Sequence, residues 1–142
     1  MLIGTQDSIL GDKNRIAMPK KFSDELGNKL ILTRGYDNCL IVVNDKNWNK
    51  LISQFEAVPF LNSDVRDVRR FLIGSAIEVE LDSQRRFVLS ENLKTYANLT
   101  KEVYFVGLGD WVEVWDKTIW SKRMNEMNST EIANKVFEVI KS

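Results

Sequence analysis

The chain carries an internal duplication, and this limits its folds more than any other feature. LGDKNRIAMPKKF at 10–22 aligns with LDSQRRFVLSENL at 81–93, at an offset of 71 residues. Leu10 falls on Leu81, Arg15 on Arg86, Ile16 on Phe87, Met18 on Leu89 and Phe22 on Leu93. KLILTRGYDNCLIVVNDKNW at 29–48 aligns with KEVYFVGLGDWVEVWDKTIW at 101–120, at an offset of 72. There Gly35 meets Gly107, Leu40 meets Val112, Val42 meets Val114 and Trp48 meets Trp120. The one residue gained fits in a helix–strand loop. A unit of about 40 residues present twice is a pair, not a solenoid. Neither copy alone holds a full core, so the two are expected to fold by packing on each other.

Each unit reads as strand, short helix, strand, turn, strand, helix. RIAM and RFVL are short extended runs. Pro19 suits the first turn of a helix, where its missing N–H is not needed. Phe22 and Leu26 lie one turn apart, and Gly27 closes the segment. In the second copy Ser90 stands as an N-cap. KLILT and EVYFV are β-rich, GYDN and GLGD carry turn chemistry, and CLIVV and WVEVW are return strands. Trp48, Leu51, Ile52 and Phe55 form one apolar helix face, which Pro59 ends. Val65, Val68 and Leu72 form a second face within 63–73. Ile132, Val136 and Ile140 form a third, with Asn128 as cap and Glu131 three residues later. These stripes read first as surfaces packed on the chain's own core or on a neighbouring subunit. Trp48 and Trp120, at matching places, are expected to contribute to a contact between subunits.

Several chemistries are absent from the sequence. There is no histidine among the 142 residues, which removes Ser-His and Cys-His pairs and the usual proton shuttle. One cysteine, Cys39, forms no internal disulfide and no zinc set. No glycine-rich nucleotide cradle is present. Glu78 and Glu80 alternate with Ile77, Val79 and Leu81, as on the polar face of a strand, and Asp64 and Asp67 lie on a helix. An enzyme would have to work with carboxylates alone, so none is expected, nor any cofactor or metal. No apolar run reaches the roughly 20 residues of a membrane span, and no signal peptide is visible. A cytoplasmic protein is expected.

Charge is informative only in its distribution. Net charge is zero. Residues 1–74 carry 11 Lys+Arg against 9 Asp+Glu, and 75–142 carry 9 against 11. Within GDKNRIAMPKK at 11–21, Lys13, Arg15, Lys20 and Lys21 face only Asp12. Such a run is either a solvated edge or an electrostatic footprint for nucleic acid.

LDSQRRFVLSENLKTYA resembles the second D-x-x-x-R motif of the MraZ family, with Asp82 and Arg86 at its fixed places. LGDKNRIAMPKKF resembles the first motif. The opening MLIGT, the hairpin LTRGYDNCL, the segment FLIGSA and VEVWDKTIW match the same pattern in order, over roughly residues 1–125. Four positions depart from it. Gly11 stands where the first motif has aspartate, with Asp12 one place late. Asn14 and Arg85 replace the glycine before each motif arginine, and Ser90 replaces a proline.

The resemblance implies an α+β fold: a pseudo-twofold, double-psi-like swapped-hairpin β-barrel of the AbrB type, built from two repeats with peripheral helices. The first AbrB-like domain is expected at 5–48, a helical connector at 49–75, the second domain at 76–120 and a helical tail at 121–142. The resemblance further implies a ring of subunits associated with the nucleoid. The ring would bind short direct repeats of double-stranded promoter DNA and regulate its own operon, in the division and cell-wall gene cluster. A ring that scaffolds other proteins is the competing reading.

The residue chemistry bears on the same site. If Lys13 and Arg15 lie on one strand, alternation aims both at one face. Arginine binds guanine O6 and N7 bidentately, or a phosphate. Lys13, Lys20 and Lys21 suit phosphates, and Asn14 suits an adenine edge. Arg15 could instead pair with its own motif carboxylate, but Gly11 removes that partner, which favours DNA. Asp82 is present for Arg86, which favours an ion pair there. Arg85 and Arg86 are therefore read as structural or DNA-contacting, and 11–21 as the main DNA-facing stretch.

Overall fold

A computed structural model of the chain describes residues 1–56 and 61–141. Pro59 lies outside the described residues. The strands are β1 (Leu2–Ile9), β2 (Arg15–Ala17), β3 (Lys29–Arg34), β4 (Leu40–Asn44), β5 (Ile77–Glu80), β6 (Arg86–Val88), β7 (Glu102–Gly109) and β8 (Val112–Asp116). The helices are α1 (Lys20–Leu26), α2 (Asp45–Ile52), α3 (Ser63–Leu72), α4 (Glu91–Tyr96), α5 (Lys117–Glu126) and α6 (Ser129–Lys141).

The fold is α+β with antiparallel pairing throughout. Six strands form one sheet in the order β1-β7-β8-β4-β3-β5, and β2 pairs with β6 as a separate ribbon. β1 and β5 are the edges of that sheet, so the described strands form an open sheet and a ribbon where a closed barrel was expected. The reason lies in β1 and β5: each takes a partner on one side only, β7 and β3 respectively.

The repeat is visible in the pairing. β1 of the first unit pairs with β7 of the second, and β5 of the second pairs with β3 of the first. Each unit thus lends its first strand to the other. Where the halves meet, counterparts face each other: Ile16 opposes Phe87 in the ribbon, and Ile41 opposes Glu113 between β4 and β8. A local twofold axis therefore runs through both pairs.

The strand registers correct one alignment. Leu32 opposes Val42, and Phe105 opposes Val114. Leu32 therefore matches Phe105, and β3 lies 73 residues from β7, not 72. Two residues are gained before β7, and the β7–β8 hairpin is one residue tighter than β3–β4. Gly35 and Gly107 are consequently not counterparts. Gly35 begins a hairpin turn, whereas Gly107 sits inside β7 opposite Gly4. A Cβ at Gly107 would lie 2.6 Å from the Leu2 carbonyl carbon, so β1 can approach only because no side chain is there.

The main core lies between the inner face of the sheet and the ribbon with α1 and α4. Leu30, Leu32, Leu40, Val42, Val103, Phe105, Val112 and Val114 come from the sheet, and Ile16 and Phe87 from the ribbon. Phe22 and Leu26 on α1 and Leu93 on α4 complete it. Fully burying such side chains contributes roughly 1.5–3 kcal/mol each. The outer face of the sheet is also covered. Ile31, Ile41 and Val43 pack against Trp48, Leu51 and Ile52 of α2. Val106 and Trp115 pack against Ile119 and Trp120 of α5. This two-sided cover explains why KLILT and CLIVV are apolar without alternation.

Trp48 is buried within its own chain, whereas Trp120 is half-exposed and lies tilted against Trp115, with ring centroids 5.4 Å apart. Exposed apolar residues cluster on α6, where Val136, Phe137, Val139 and Ile140 are each more than half exposed, and others lie on β1 at Ile3 and Ile9 and on β6 at Val88. Asn128 caps this helix by accepting from the N–H groups of Thr130 and Glu131.

Candidate nucleic-acid interface

Both motifs close on the same backbone hydrogen bond, although the first has two left-handed residues, Lys13 and Asn14, and the second only Arg85. In the first, the Gly11 N–H donates to the Arg15 carbonyl at 2.8 Å, across a single helical turn at Asp12–Asn14. In the second, the Asp82 N–H donates to the Arg86 carbonyl at 2.9 Å. The residue before each arginine is left-handed, Asn14 at φ 57° and Arg85 at φ 59°. Asparagine tolerates that region, whereas arginine is strained there.

The turns are fastened to each other across the axis. The Leu89 N–H donates to the Asn14 carbonyl, and the Met18 N–H to the Arg85 carbonyl, both at 2.8 Å. Between them lies the ribbon, with Arg15 opposite Val88, Ile16 opposite Phe87 and Ala17 opposite Arg86. Ile16 and Phe87 point into the core. By strand alternation Arg15, Ala17, Arg86 and Val88 share the outward face. Both arginines thus lie on one surface, contributed by both halves of the chain.

The side chains differ. Asp82 Oδ1 accepts from the N–H groups of Gln84 and Arg86, and its Oδ2 accepts from Arg86 Nε at 3.0 Å. The Arg86 N–H, more than any other group, holds the Asp82 carboxyl below the usual carboxylate range. Gly11 supplies no such carboxylate. Arg15 is exposed, and no ion pair to it occurs among the described residues.

Asn14 is placed otherwise than the sequence reading assumed. Its Nδ2 donates to Glu91 at 2.9 Å, and its Oδ1 accepts from Lys94 Nζ at 3.1 Å. Both partners lie on α4, so in the free chain the amide braces the turn. Lys13 is also differently placed. β2 begins only at Arg15, and Lys13 sits in the turn with φ 59°, so strand alternation does not align it with Arg15. Lys13 is nonetheless exposed beside the ribbon. Lys20 and Lys21 open α1, Lys20 bridging to Asp24 at 2.9 Å and Lys21 lying 5.9 Å from the Phe22 ring centroid. Cys39 is buried away from this surface, and burial pushes its thiol pKa upward, which keeps it protonated.

A family model described as "MraZ protein, putative antitoxin-like" matches residues 1–71 and 72–140. The chain belongs to the MraZ family. It is 39% identical over 138 residues to a protein of Acetivibrio thermocellus named "Transcriptional regulator MraZ", covering 96% of each chain. Proteins of the same name from Caldicellulosiruptor saccharolyticus and Carboxydothermus hydrogenoformans are 38% and 37% identical, over 98% and 99% of this chain and 99% of each relative. The two MraZ matches divide the chain where the duplication divides it, so each unit ends on a helix, α3 or α6.

Sequence reasoning passed over three residues of this surface. Val88 was treated as part of an apolar strand, yet it is 59% exposed on the outward face of the ribbon. The alternation Arg86 out, Phe87 in, Val88 out, Leu89 in could have found it. Glu91 and Lys94 brace Asn14 from 77 and 80 residues away, and no local pattern announces such a contact.

Proposed function

We propose that the outward face of the β2–β6 ribbon is a docking surface for double-stranded DNA, and that the protein is a sequence-specific transcriptional regulator without catalytic activity. The observation that carries this is Arg15: exposed, without its motif carboxylate, on a two-stranded ribbon. A two-stranded ribbon is one of the elements that the major groove admits. Arg15 reads guanine, while Lys13, Lys20 and Lys21 contact phosphates and set the register. Arg86, tied to Asp82, positions the ribbon, and Arg85 stands beside it at the turn. The regulatory name of the relatives supports the same role.

The finer parts of the reading come from the family. The exchange of β1 and β5 between the units is the swapped-hairpin arrangement of AbrB-like domains, the first spanning 5–48 and the second 76–120, with 49–75 connecting them and 121–142 as tail. Subunits assemble into a ring, bind tandem direct repeats in the protein's own promoter and act in the cytoplasm at the nucleoid. The uncovered apolar residues of α6 favour assembly with further copies. Among the described residues no helix is long and apolar enough to cross a membrane. The test is an anisotropy titration of the full chain against its own upstream DNA, with a scrambled duplex as control. Preference for the upstream duplex supports the reading; equal, salt-sensitive binding to both duplexes overturns specific readout.

A further inference from the structure

A second site lies behind α4. A cleft of about 510 Å³ opens between the segment 74–77 and α4, with Arg34 of β3 in its wall. That volume is in the range of small-molecule sites. Arg34 is half-buried and rests against two adjoining rings: its guanidinium carbon is 5.2 Å from the Phe71 ring centroid and 5.6 Å from that of Tyr96, and the two centroids lie 5.9 Å apart. Its Nε donates to Ser75 Oγ at 2.6 Å. Tyr96 is itself fixed by donating its hydroxyl to the Gly35 carbonyl at 2.7 Å.

What Arg34 lacks is an anion. Among the described residues no carboxylate pairs with it, and only its Nε has a hydrogen-bond partner. A guanidinium carries five N–H donors in a fixed fork that matches two oxygens of a carboxylate or phosphate. No carboxylate lines the cleft, whose polar groups include Ser75, Asn92 and Thr95, beside apolar Ile77 and Leu93. The other half of the molecule supplies a control. The counterpart of Arg34 in β7 is Gly107, and a cleft of about 320 Å³ beside α1 is lined by Lys21 together with Asp24 and Glu25. There the chain provides its own carboxylates, and Glu25 pairs with the amino group of Met1.

We propose that the Arg34 cleft binds a small organic anion, its carboxylate or phosphate gripped by Arg34 and its remainder lying against Ile77 and Leu93. The cation is already held against two rings and by a hydroxyl, so little side-chain freedom is lost on binding. The site also has a route to the first motif. Asn92, Leu93 and Thr95 of α4 line the cleft, while Glu91 and Lys94 of the same helix hold Asn14. An anion seated there bears on the helix that braces the turn before Arg15. The site does not depend on the DNA reading, and it can be tested on DNA-free protein.

The experiment is an NMR titration of the full labelled chain with sodium phosphate and, separately, sodium acetate, at constant ionic strength. The expected result is a saturable shift of the Arg34 Nε–H signal and the Ser75 and Thr95 amides, with a midpoint below about 10 mM. Arg15 Nε should move little. The Asn14 side-chain amide should move with the same midpoint. In Arg34→Gln the response should fall at least tenfold. Thr95→Glu, at an exposed position, places a carboxylate at the cleft and should abolish the response without change in melting temperature. Response to phosphate alone marks a phosphorylated ligand, and response to acetate alone a carboxylic acid. Shifts no larger at Arg34 than at Arg15, or a full response in both variants, overturn the site. A still Asn14 amide beside a responding Arg34 overturns the link to the motif.

Discussion

The two motif turns close on the same backbone hydrogen bond and are secured by different means. At 82–86 the turn is held from within, by a carboxylate that accepts two backbone N–H groups and its own arginine. At 11–15 the corresponding position is glycine, and the turn is held from outside, by Glu91 and Lys94 gripping Asn14. The difference decides what each arginine is free to do. Arg86 is committed to Asp82, whereas Arg15 keeps its guanidinium. A duplicated unit has thus kept the closing bond of its turn and divided its side-chain chemistry, one arginine paired and one left open.

The largest test removes what the turns have in common. Ile16 and Phe87 face each other on the local axis and anchor the ribbon to the core. Phe87→Ala should cost about 3–5 kcal/mol and Ile16→Ala about 2–5 kcal/mol of stability. Urea unfolding should show both variants destabilised. If one is near neutral, the ribbon is not held symmetrically.

Next comes the arginine contrast. Arg15→Ala should weaken binding to the upstream duplex by about 1–3 kcal/mol, the worth of one bidentate base contact, and leave the melting temperature nearly unchanged. Arg86→Ala should lower the melting temperature, because the turn loses a tie. An Arg15→Ala variant that binds as tightly as the parent would end the assignment, as would a larger specific effect at Arg86 with stability intact.

A subtler change would make the first turn resemble the second. Gly11 has φ −96°, a conformation open to any residue, and a Cβ there would meet only the Arg15 carbonyl oxygen at 3.7 Å. Gly11→Asp should therefore install the missing carboxylate. The expected outcome is a higher melting temperature together with weaker binding to DNA, since Arg15 acquires an internal partner. Stronger binding would mean that Arg15 needs to be held in order to read.

The Asp82 carboxyl sharpens the comparison through pH. Its pKa is lowered in the folded state, so its contribution is present above the unfolded value of about 3.9 and is lost as pH falls through the folded value. Melting temperatures measured from neutral pH down into this range should fall more for the parent than for Asp82→Asn. Parallel curves would show that the carboxylate does not hold the turn. The smallest effect is expected from the lysines: charge reversal at Lys20 and Lys21 should flatten the salt dependence of binding by about 0.9 per lost phosphate contact. An unchanged slope would remove α1 from the interface.

Much of this fold was legible because it is periodic or repeated. Helix faces, the caps at Asn128 and Ser90, and the short strands around Ile16 and Phe87 follow from spacing and local chemistry. Strand exchange was not legible. Nothing near Leu2 announces that its partner is Gly109, because pairing between distant strands is chosen by the whole core. The site was legible in its arginines and less so in their surroundings. Lys13 was placed on a strand because its turn is left-handed at a residue type that rarely adopts that conformation. The bracing of Asn14 is invisible in the sequence because its partners, Glu91 and Lys94, lie in the other unit.

The exchange of first strands has a consequence for how the chain is made. β1 ends at Ile9, and β7, its only partner in the sheet, begins at Glu102. At about 5–20 residues per second, a ribosome needs on the order of 5–20 s to synthesise the intervening stretch of chain. Once the first strand leaves the tunnel, it waits out the rest of that interval without β7, and the ribbon, which needs β6, is equally unfinished. Folding is therefore deferred until the second unit emerges. A ribosome stalled within the second unit would hold out an unpaired strand with Ile3 and Ile9 on it, the kind of edge that invites another chain.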